Sequence, residues 1–407
     1  MDDGIDESTP VVQPTANYMM RTHCDPHADM FALRAHGPLV RIGGNPAAQL
    51  QRDYVWQAMG YDVVRKILGD HENFTTRPRW SSDQSFDEPI PPNLVGQLSV
   101  YDPPEHTRLR GMLTPEFTAR RIRRLEPAMQ DLIDERIDEM EAEGPPADVQ
   151  AVFADPVGAG VLCELLGIPR DDRSEFIRRV RRNVDLSRAF KARAADSAAF
   201  DRYLNGLITR QRKDPDEEFI GMLVREHGEE VTDDELKGML TALILGGVET
   251  VGGSIGFGML ALLEHPAQRE ALFAGREHAD RVVNELLRYL SPVQQPNPRL
   301  AIRDVEIDGH RIKAGDYVLC SILMANRDEA LTPDPNVFDV SRDGGSHVGF
   351  GHGIHYCIGA AIARTLLRMA YQTLWRRLPG LRLAVAAEEV KFRNAFIDCP
   401  DQLPVTW

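Results

Sequence analysis

Cysteine is sparse in this 407-residue chain: Cys24, Cys163, Cys320, Cys357 and Cys399 are odd in number, far apart and without a CxxC pair. That spacing excludes a disulfide framework and a structural zinc site. Any cysteine chemistry has to rest on a single thiol. Positive charge is also short, with 47 Lys and Arg against 62 Asp and Glu, a formal balance of -15. A phosphate-tracking face would be a local exception, so nucleic acid is not an expected partner. The longest weakly charged stretch, Met239 to Leu263, carries Glu249 and six glycines, which suits a buried helix better than a membrane span. No membrane association is expected. The N-terminus, MDDGIDESTPVV, lacks the basic and apolar regions of a signal peptide and the Arg-rich pattern of a transit peptide. A cytoplasmic protein is the expectation.

What is present is ordinary globular material: 43% hydrophobic and 27% charged residues, with 32 Gly and 27 Pro scattered without period. Residues 1–18 lack periodicity and are expected to form a mobile tail ahead of one domain, 19–407, mainly α with small β-sheets. LVRIGG and QRDYVWQAMG predict two early strands around a turn rich in breakers. Helices are expected over Tyr61–Leu68, His106–Thr118, Ala128–Glu143, Asp155–Leu166, Asp171–Arg182 and Ala189–Arg212. Thr232 and Glu235 form a capping box that opens one long run, ended at His265 by Pro266. At 1.5 Å per residue such a helix spans about 50 Å, so it should act as a central, buried pillar. Its Gly246, Gly247, Gly252 and Gly253 each cost roughly 1 kcal/mol relative to Ala, so something other than helix propensity must favour them. A further helix is expected over His278–Leu290, short strands over Pro298–Leu319, irregular chain from Asn326 to Gly353, and a helix over Ile358–Leu378.

The sharpest local signal is FGHGIHYCIG, Phe350 to Gly359. Gly351, Gly353 and Gly359 relieve steric limits around the Cys357 thiol, letting backbone N–H groups approach a sulfur anion. Such a thiolate is a metal ligand, Phe350 can shield it, and His355 can donate to an acidic group on the ligand. The ten residues, read as FxxGxxxCxG, resemble the haem-binding loop of the cytochromes P450. The resemblance implies haem b with Cys357 as axial ligand, O2 as cosubstrate and electrons from NAD(P)H. It implies a single α-rich body with haem between the pillar helix and the cysteine loop.

Further positions follow from the same resemblance. Glu285 and Arg288 match the family's structural ExxR pair, whose usual third partner is an Arg in a PDRFD-like segment. Here that segment is DPNVFD with Val337, which leaves Arg327 or Arg342 to substitute. His106 and Arg110, one helical turn apart in YDPPEHTRLR, together with Arg299 and His355, match the family's haem-propionate ligands. Gly246, Gly247, Glu249 and Thr250 resemble [AG]Gx[DE]T, in which missing side chains make room for O2, the hydroxyl holds O2 and water, and the acid relays protons. The plain alternative is that Thr250 bonds the carbonyl of Gly246 and that Glu249 is paired with a cation.

The function implied is a monooxygenase inserting one oxygen atom into a bulky natural-product intermediate such as a macrolide, polyketide or peptide. YDPPEHTRLR, LCELLGIPRDDR, VREHGEEVTDDELKG and CSILMANRDEAL look instead like enzymes that cross-link phenolic rings in carrier-bound glycopeptide precursors. Those generally lack a threonine at the place of Thr250, which favours insertion. A non-catalytic haem-thiolate sensor or scaffold would have no need of Glu249 and Thr250. Val95, Leu98, Val293, Gln294, Phe396 and Ile397 occupy places where the family shapes its substrate pocket. No flavin or iron–sulfur motif accompanies the haem loop, so a separate ferredoxin and ferredoxin reductase are expected to serve a monomer. Arg108, Arg120, Arg121, Arg364 and Arg368 are the candidate docking cations.

Overall fold

In the strand Tyr54–Ala58, Trp56 and Ala58 join one apolar cluster with Leu39, Val318 and Cys320, while Val55 joins another with Val40, Ile42 and Leu319. That is the two-residue period of a sheet buried on both faces. The computed structural model describes residues 10–15, 19, 21, 23–44, 53–77, 89–184, 190–343, 345–393 and 397–407. The chain forms two compact units. One combines Met1–Pro89, Ser99–Asp102 and Ala274–Cys357, the other Ile90–Leu98, Pro103–Phe273 and Ile358–Trp407. Each is built from non-contiguous segments, so neither is a separable stretch of sequence within the expected 19–407 domain.

The first unit is organised by a six-stranded sheet in the order Val11–Val12, Leu39–Gly43, Tyr54–Ala58, Tyr317–Cys320, Arg299–Ala301, Phe74–Thr75. Leu39–Gly43 and Tyr54–Ala58 pair antiparallel with Arg41 opposite Trp56, as the two early strands predict. The Arg41 guanidinium stacks 4.7 Å from the centre of Trp56 and 4.9 Å from that of Tyr54. Val11 and Val12 run parallel to Arg41 and Ile42 in this sheet, so the expected tail of 1–18 is corrected there. Two β-branched residues satisfy an edge that a period search over so short a run does not register. The unit also contains the helices Ala28–Arg34, Tyr61–Gly69, Arg276–Leu290 and Ile322–Asn326 and a two-stranded sheet of Val305–Ile307 with His310–Ile312.

The second unit is helical, with a small sheet ordered Arg382–Leu383, Pro404–Thr406, Ala147–Asp148. Its pillar helix runs Asp233–Glu264, and the Thr232 hydroxyl and Glu235 carboxylate close the capping box. The helix expected from Ala128 begins at Ala119 and contains Pro127. Proline removes one ladder donor, yet Ile122, Met129 and Ile133 continue one buried stripe across it, and that burial prevails.

Close packing accounts for most of the pillar glycines. A Cβ at Gly252 would lie 3.0 Å from the Asp155 Cα, and one at Gly158 would lie 2.7 Å from the Gly252 nitrogen. The pillar and the helix Asp155–Leu166 therefore meet backbone to backbone. Ile397 and Cys399 fill the place beside Gly253, Gln150 that beside Gly256, and the Leu162 Cδ1 would sit 3.2 Å from a Cβ at Gly247. Gly246 differs: among the described residues a Cβ there would meet nothing within 4 Å. Gly252→Val should accordingly destabilise by about 1–3 kcal/mol through overpacking. Gly246→Ala should hold or raise stability by up to about 1 kcal/mol. Thermal unfolding of the two variants checks this, and equal losses would contradict the packing account.

Candidate active site

The cysteine loop is shaped by its own backbone. Gly351 N–H donates to the Val348 carbonyl at 2.7 Å, Tyr356 N–H to Gly353 at 3.0 Å, and Cys357 N–H to Phe350 at 2.9 Å. Gly351 and Gly353 have φ of 76° and 73°, a region that penalises a side chain. At Gly353 a Cβ would also press on the Leu68 carbonyl at 2.5 Å, so the loop lies directly against the end of Tyr61–Gly69. The Phe350 ring sits 6.3 Å from that of Tyr356 and 6.3 Å from that of His347. Cys357 is exposed, whereas the other four cysteines are buried. Burial pushes the Cys163, Cys320 and Cys399 thiols up to about 12, which keeps them protonated and poor as ligands.

Glu285 and Arg288 sit at 1% and 5% exposure and pair through two hydrogen bonds of 2.7 Å each. Arg288 also donates to the carbonyls of Asn326, Pro335 and Val337. The backbone N–H of Asp339 donates to Glu285 at 2.9 Å, and Arg342 places its Nε 3.5 Å from the same carboxylate. Arg342 thus takes the third place beside Glu285. Arg327 goes elsewhere: it donates to the Tyr289 carbonyl and stacks 3.6 Å from the centre of the Tyr289 ring.

Arg299 is 5% exposed, and burial lowers the pKa of its guanidinium from the ordinary arginine value. Among the described residues the acceptor its guanidinium reaches is the Asn297 carbonyl, at 2.7 Å, which leaves most of its five donors available. Asp102 lies in its field. Burial holds the Asp102 carboxyl above its ordinary value, against the Thr75 hydroxyl, the Thr76 N–H and the charges of Arg77 and Arg299. His355 is half-buried with its Nε2 3.3 Å from the Thr76 hydroxyl. Sequence reasoning passed over Asp102 and Thr75, whose significance depends on chain remote from both.

On the second unit, His106 is buried and Arg110 half-buried along the helix Glu105–Leu113. Glu249, Gly252, Gly253 and Gly256 recur at three- and four-residue spacing and so share one face of the pillar, the face against which Asp155, Cys399 and Gln150 pack. Arg393 crosses this region, donating to Asp155 at 2.8 Å and, from its backbone N–H, to the Cys399 carbonyl at 3.0 Å. Thr250 and Gly246 lie on the adjoining face, where the Thr250 hydroxyl donates to the Gly246 carbonyl at 2.5 Å. Ser254 and Tyr371, bonded in turn to this region, were not foreseen. Ser254 stands four residues beyond Thr250, a spacing visible in sequence, but nothing local points to Tyr371.

Of the residues expected to shape a substrate pocket, Val95, Leu98 and Val293 are partly exposed. Gln294 is 7% exposed, and its side-chain amide N–H donates to the Met19 carbonyl at 2.7 Å. Ile397, 2% exposed, packs beside Gly253. Phe396 lies outside the described residues. Two of the docking arginines are also engaged: Arg108 pairs with Glu235, and Arg121 pairs with the buried Glu116 at 2.8 Å. Arg120 is exposed, and Arg364 and Arg368 are half-buried.

A family model described as cytochrome P450 matches residues 183–378. Cytochrome P450 165C4 of Amycolatopsis orientalis is 70% identical over 403 residues, covering 99% of this chain and 99% of that protein. The chain belongs to the cytochrome P450 family. It is therefore an oxidoreductase that carries haem through a thiolate and uses O2 with NAD(P)H-derived electrons. Among solved structures, OxyC, a cytochrome P450 implicated in an oxidative C–C coupling reaction during vancomycin biosynthesis, superposes with a TM-score of 0.93 at 69% identity, covering 99% of this chain and 100% of that one. OxyB from teicoplanin biosynthesis, in complex with the X-domain, gives 0.86 at 47% identity, covering 96% of this chain and 99% of that one. The residues present suit the cofactor. Cys357 is the exposed thiol of a glycine-shaped loop, and Arg299 is a buried guanidinium with donors left for an acidic side chain.

Removing one partner of the buried ion pair leaves the other charge uncompensated, at about 3–5 kcal/mol. Glu285→Ala should yield little soluble haem-loaded protein, as read by the ratio of Soret to protein absorbance after purification. Full loading with unchanged thermal stability would show that the pair is not structural.

Proposed function

We propose that this enzyme forms a bond between two aromatic rings of a carrier-bound peptide bearing phenolic side chains, a precursor of a glycopeptide antibiotic. The observation that carries the reading is 69% identity, over 99% of the chain, to a P450 implicated in oxidative C–C coupling during vancomycin biosynthesis. The X-domain complex of OxyB supports delivery of the substrate on an assembly-line protein. In the overall change one ring-to-ring bond forms and two hydrogens leave the peptide, while O2, NAD(P)H and one proton become two waters and NAD(P)+. No oxygen enters the product. Electrons arrive from a ferredoxin and its reductase, in a cytoplasmic setting.

The residue assignments follow the same reading. Cys357 would hold the haem iron through its thiolate, and Arg299, His355, His106 and Arg110 would hold the cofactor's two carboxylates. The iron, when bound, supplies activation of O2. Thr250 holds O2 and water through its oxygen, and Glu249 moves protons inward from the packed face of the pillar. A threonine at position 250 suits oxygen insertion and ring coupling alike. The Thr250 hydroxyl gives its hydrogen to Gly246, so it offers lone pairs and is no mark of insertion in particular. Coupling needs protons for water formation just as hydroxylation does.

Reconstituted with ferredoxin, reductase and NAD(P)H under labelled O2, the enzyme should convert a carrier-bound phenolic peptide to a product two hydrogens lighter and free of label. A labelled product heavier by one oxygen would overturn coupling in favour of hydroxylation. The ligand assignment has its own check. Cys357→Ala should abolish the red-shifted Soret band of the ferrous carbonyl complex, and its survival would remove Cys357 from the axial position.

A further inference from the structure

Three hydroxyl groups act in series along the pillar helix. The Tyr371 phenol donates to the Ser254 carbonyl at 2.8 Å, the Ser254 hydroxyl to the Thr250 carbonyl at 2.6 Å, and the Thr250 hydroxyl to the Gly246 carbonyl at 2.5 Å. Each accepting carbonyl stands one helical turn from the next. Each also serves the helix ladder, and because a carbonyl oxygen has two lone pairs every side-chain donor adds a second bond to an acceptor already in use. The Thr241 hydroxyl makes the same kind of bond to the Lys237 carbonyl.

The series has a fixed end and an open end. Tyr371 is 1% exposed on the helix Ala360–Arg377, which starts at the residue after Gly359, so its ring is anchored outside the pillar. Burial pushes the phenol far above its ordinary value, so it remains a donor at every working pH. At the other end stands Gly246, the pillar glycine beside which a Cβ would meet nothing, in contrast to Gly247, Gly252, Gly253 and Gly256.

We propose that Tyr371 and Ser254 are positioning residues that fix the turn Gly246–Thr250, committing the Thr250 hydrogen to the helix and presenting its lone pairs to water and O2. The proposal rests on the reading of Thr250 given above, and goes beyond it in assigning control of that hydroxyl to a phenol on another helix. Tyr371→Phe keeps the ring and its packing while removing the donor. Ser254→Ala breaks the middle rung alone.

Both variants should load haem and melt like the parent, yet amide exchange in the haem-loaded protein should quicken about fivefold over Gly246–Gly258, the size of one net hydrogen bond. With a spectrally bound phenolic peptide, both should also release a larger share of NAD(P)H electrons as peroxide. In a Thr250→Ala background, Tyr371→Phe should add nothing further to that share, because coupled residues are not additive. Unchanged exchange over Gly246–Gly258 in both variants, or a full additive rise in peroxide on top of Thr250→Ala, would overturn the ladder. A parent enzyme that turns over without joining rings would count against the coupling reading alone, since exchange and the partition between peroxide and water are read without reference to the organic product.

Discussion

The Arg288 guanidinium ties together several stretches of the first unit. It holds Glu285 on one side and the carbonyls of Asn326, Pro335 and Val337 on the other, so it fixes chain that has almost no regular structure of its own. The consequences can be followed outward. Asn326, whose carbonyl Arg288 holds, uses its side chain to accept from the Val348 N–H and to donate to the Ser291 hydroxyl. Val348 in turn accepts from the Gly351 N–H at the start of the cysteine turn. A buried ion pair is rarely a net source of stability, since desolvation offsets most of the attraction. Its value here is specification of a loop, which apolar residues of equal volume would not supply.

The pillar helix answers a different constraint. It gives up helix propensity at glycine after glycine so that Asp155, Gln150, Ile397 and Cys399 can press on its backbone. That packed face carries Glu249, while Gly246 and Thr250 occupy the adjoining one. Two kinds of glycine therefore share one helix, those that admit neighbours and Gly246, beside which no neighbour comes among the described residues. In sequence the two kinds look alike.

This sets the boundary of what was legible from residues alone. The cysteine turn and the capping box of the pillar are determined within about ten residues, by φ preferences and local donors, and both are readable from the chain. The two early strands are readable because their apolar faces alternate. Arg342, and not Arg327, reaches Glu285 because of where an irregular stretch folds back, and no local pattern carries that information. Gln294 donates to the Met19 carbonyl and Ile397 packs beside Gly253, contacts with remote chain that position in the sequence does not reveal. Arg108 reads as a surface cation and is taken up by Glu235, the residue that caps the pillar.

The choice between inserting oxygen and joining rings falls on the same side of that boundary. Both outcomes require cleavage of O2 with delivery of protons, so both retain the same thiolate, the same cations and the same hydroxyl. A threonine at one position cannot separate them. Ring coupling additionally requires two side chains of one substrate to be held at near contact, because an intramolecular bond profits from that proximity by several orders of magnitude in effective concentration. Specificity for coupling is therefore a property of how a large, tethered substrate is held. It is expressed in many surface-forming residues at once, which is why whole-chain similarity carries that information while the short motifs that define the chemistry do not.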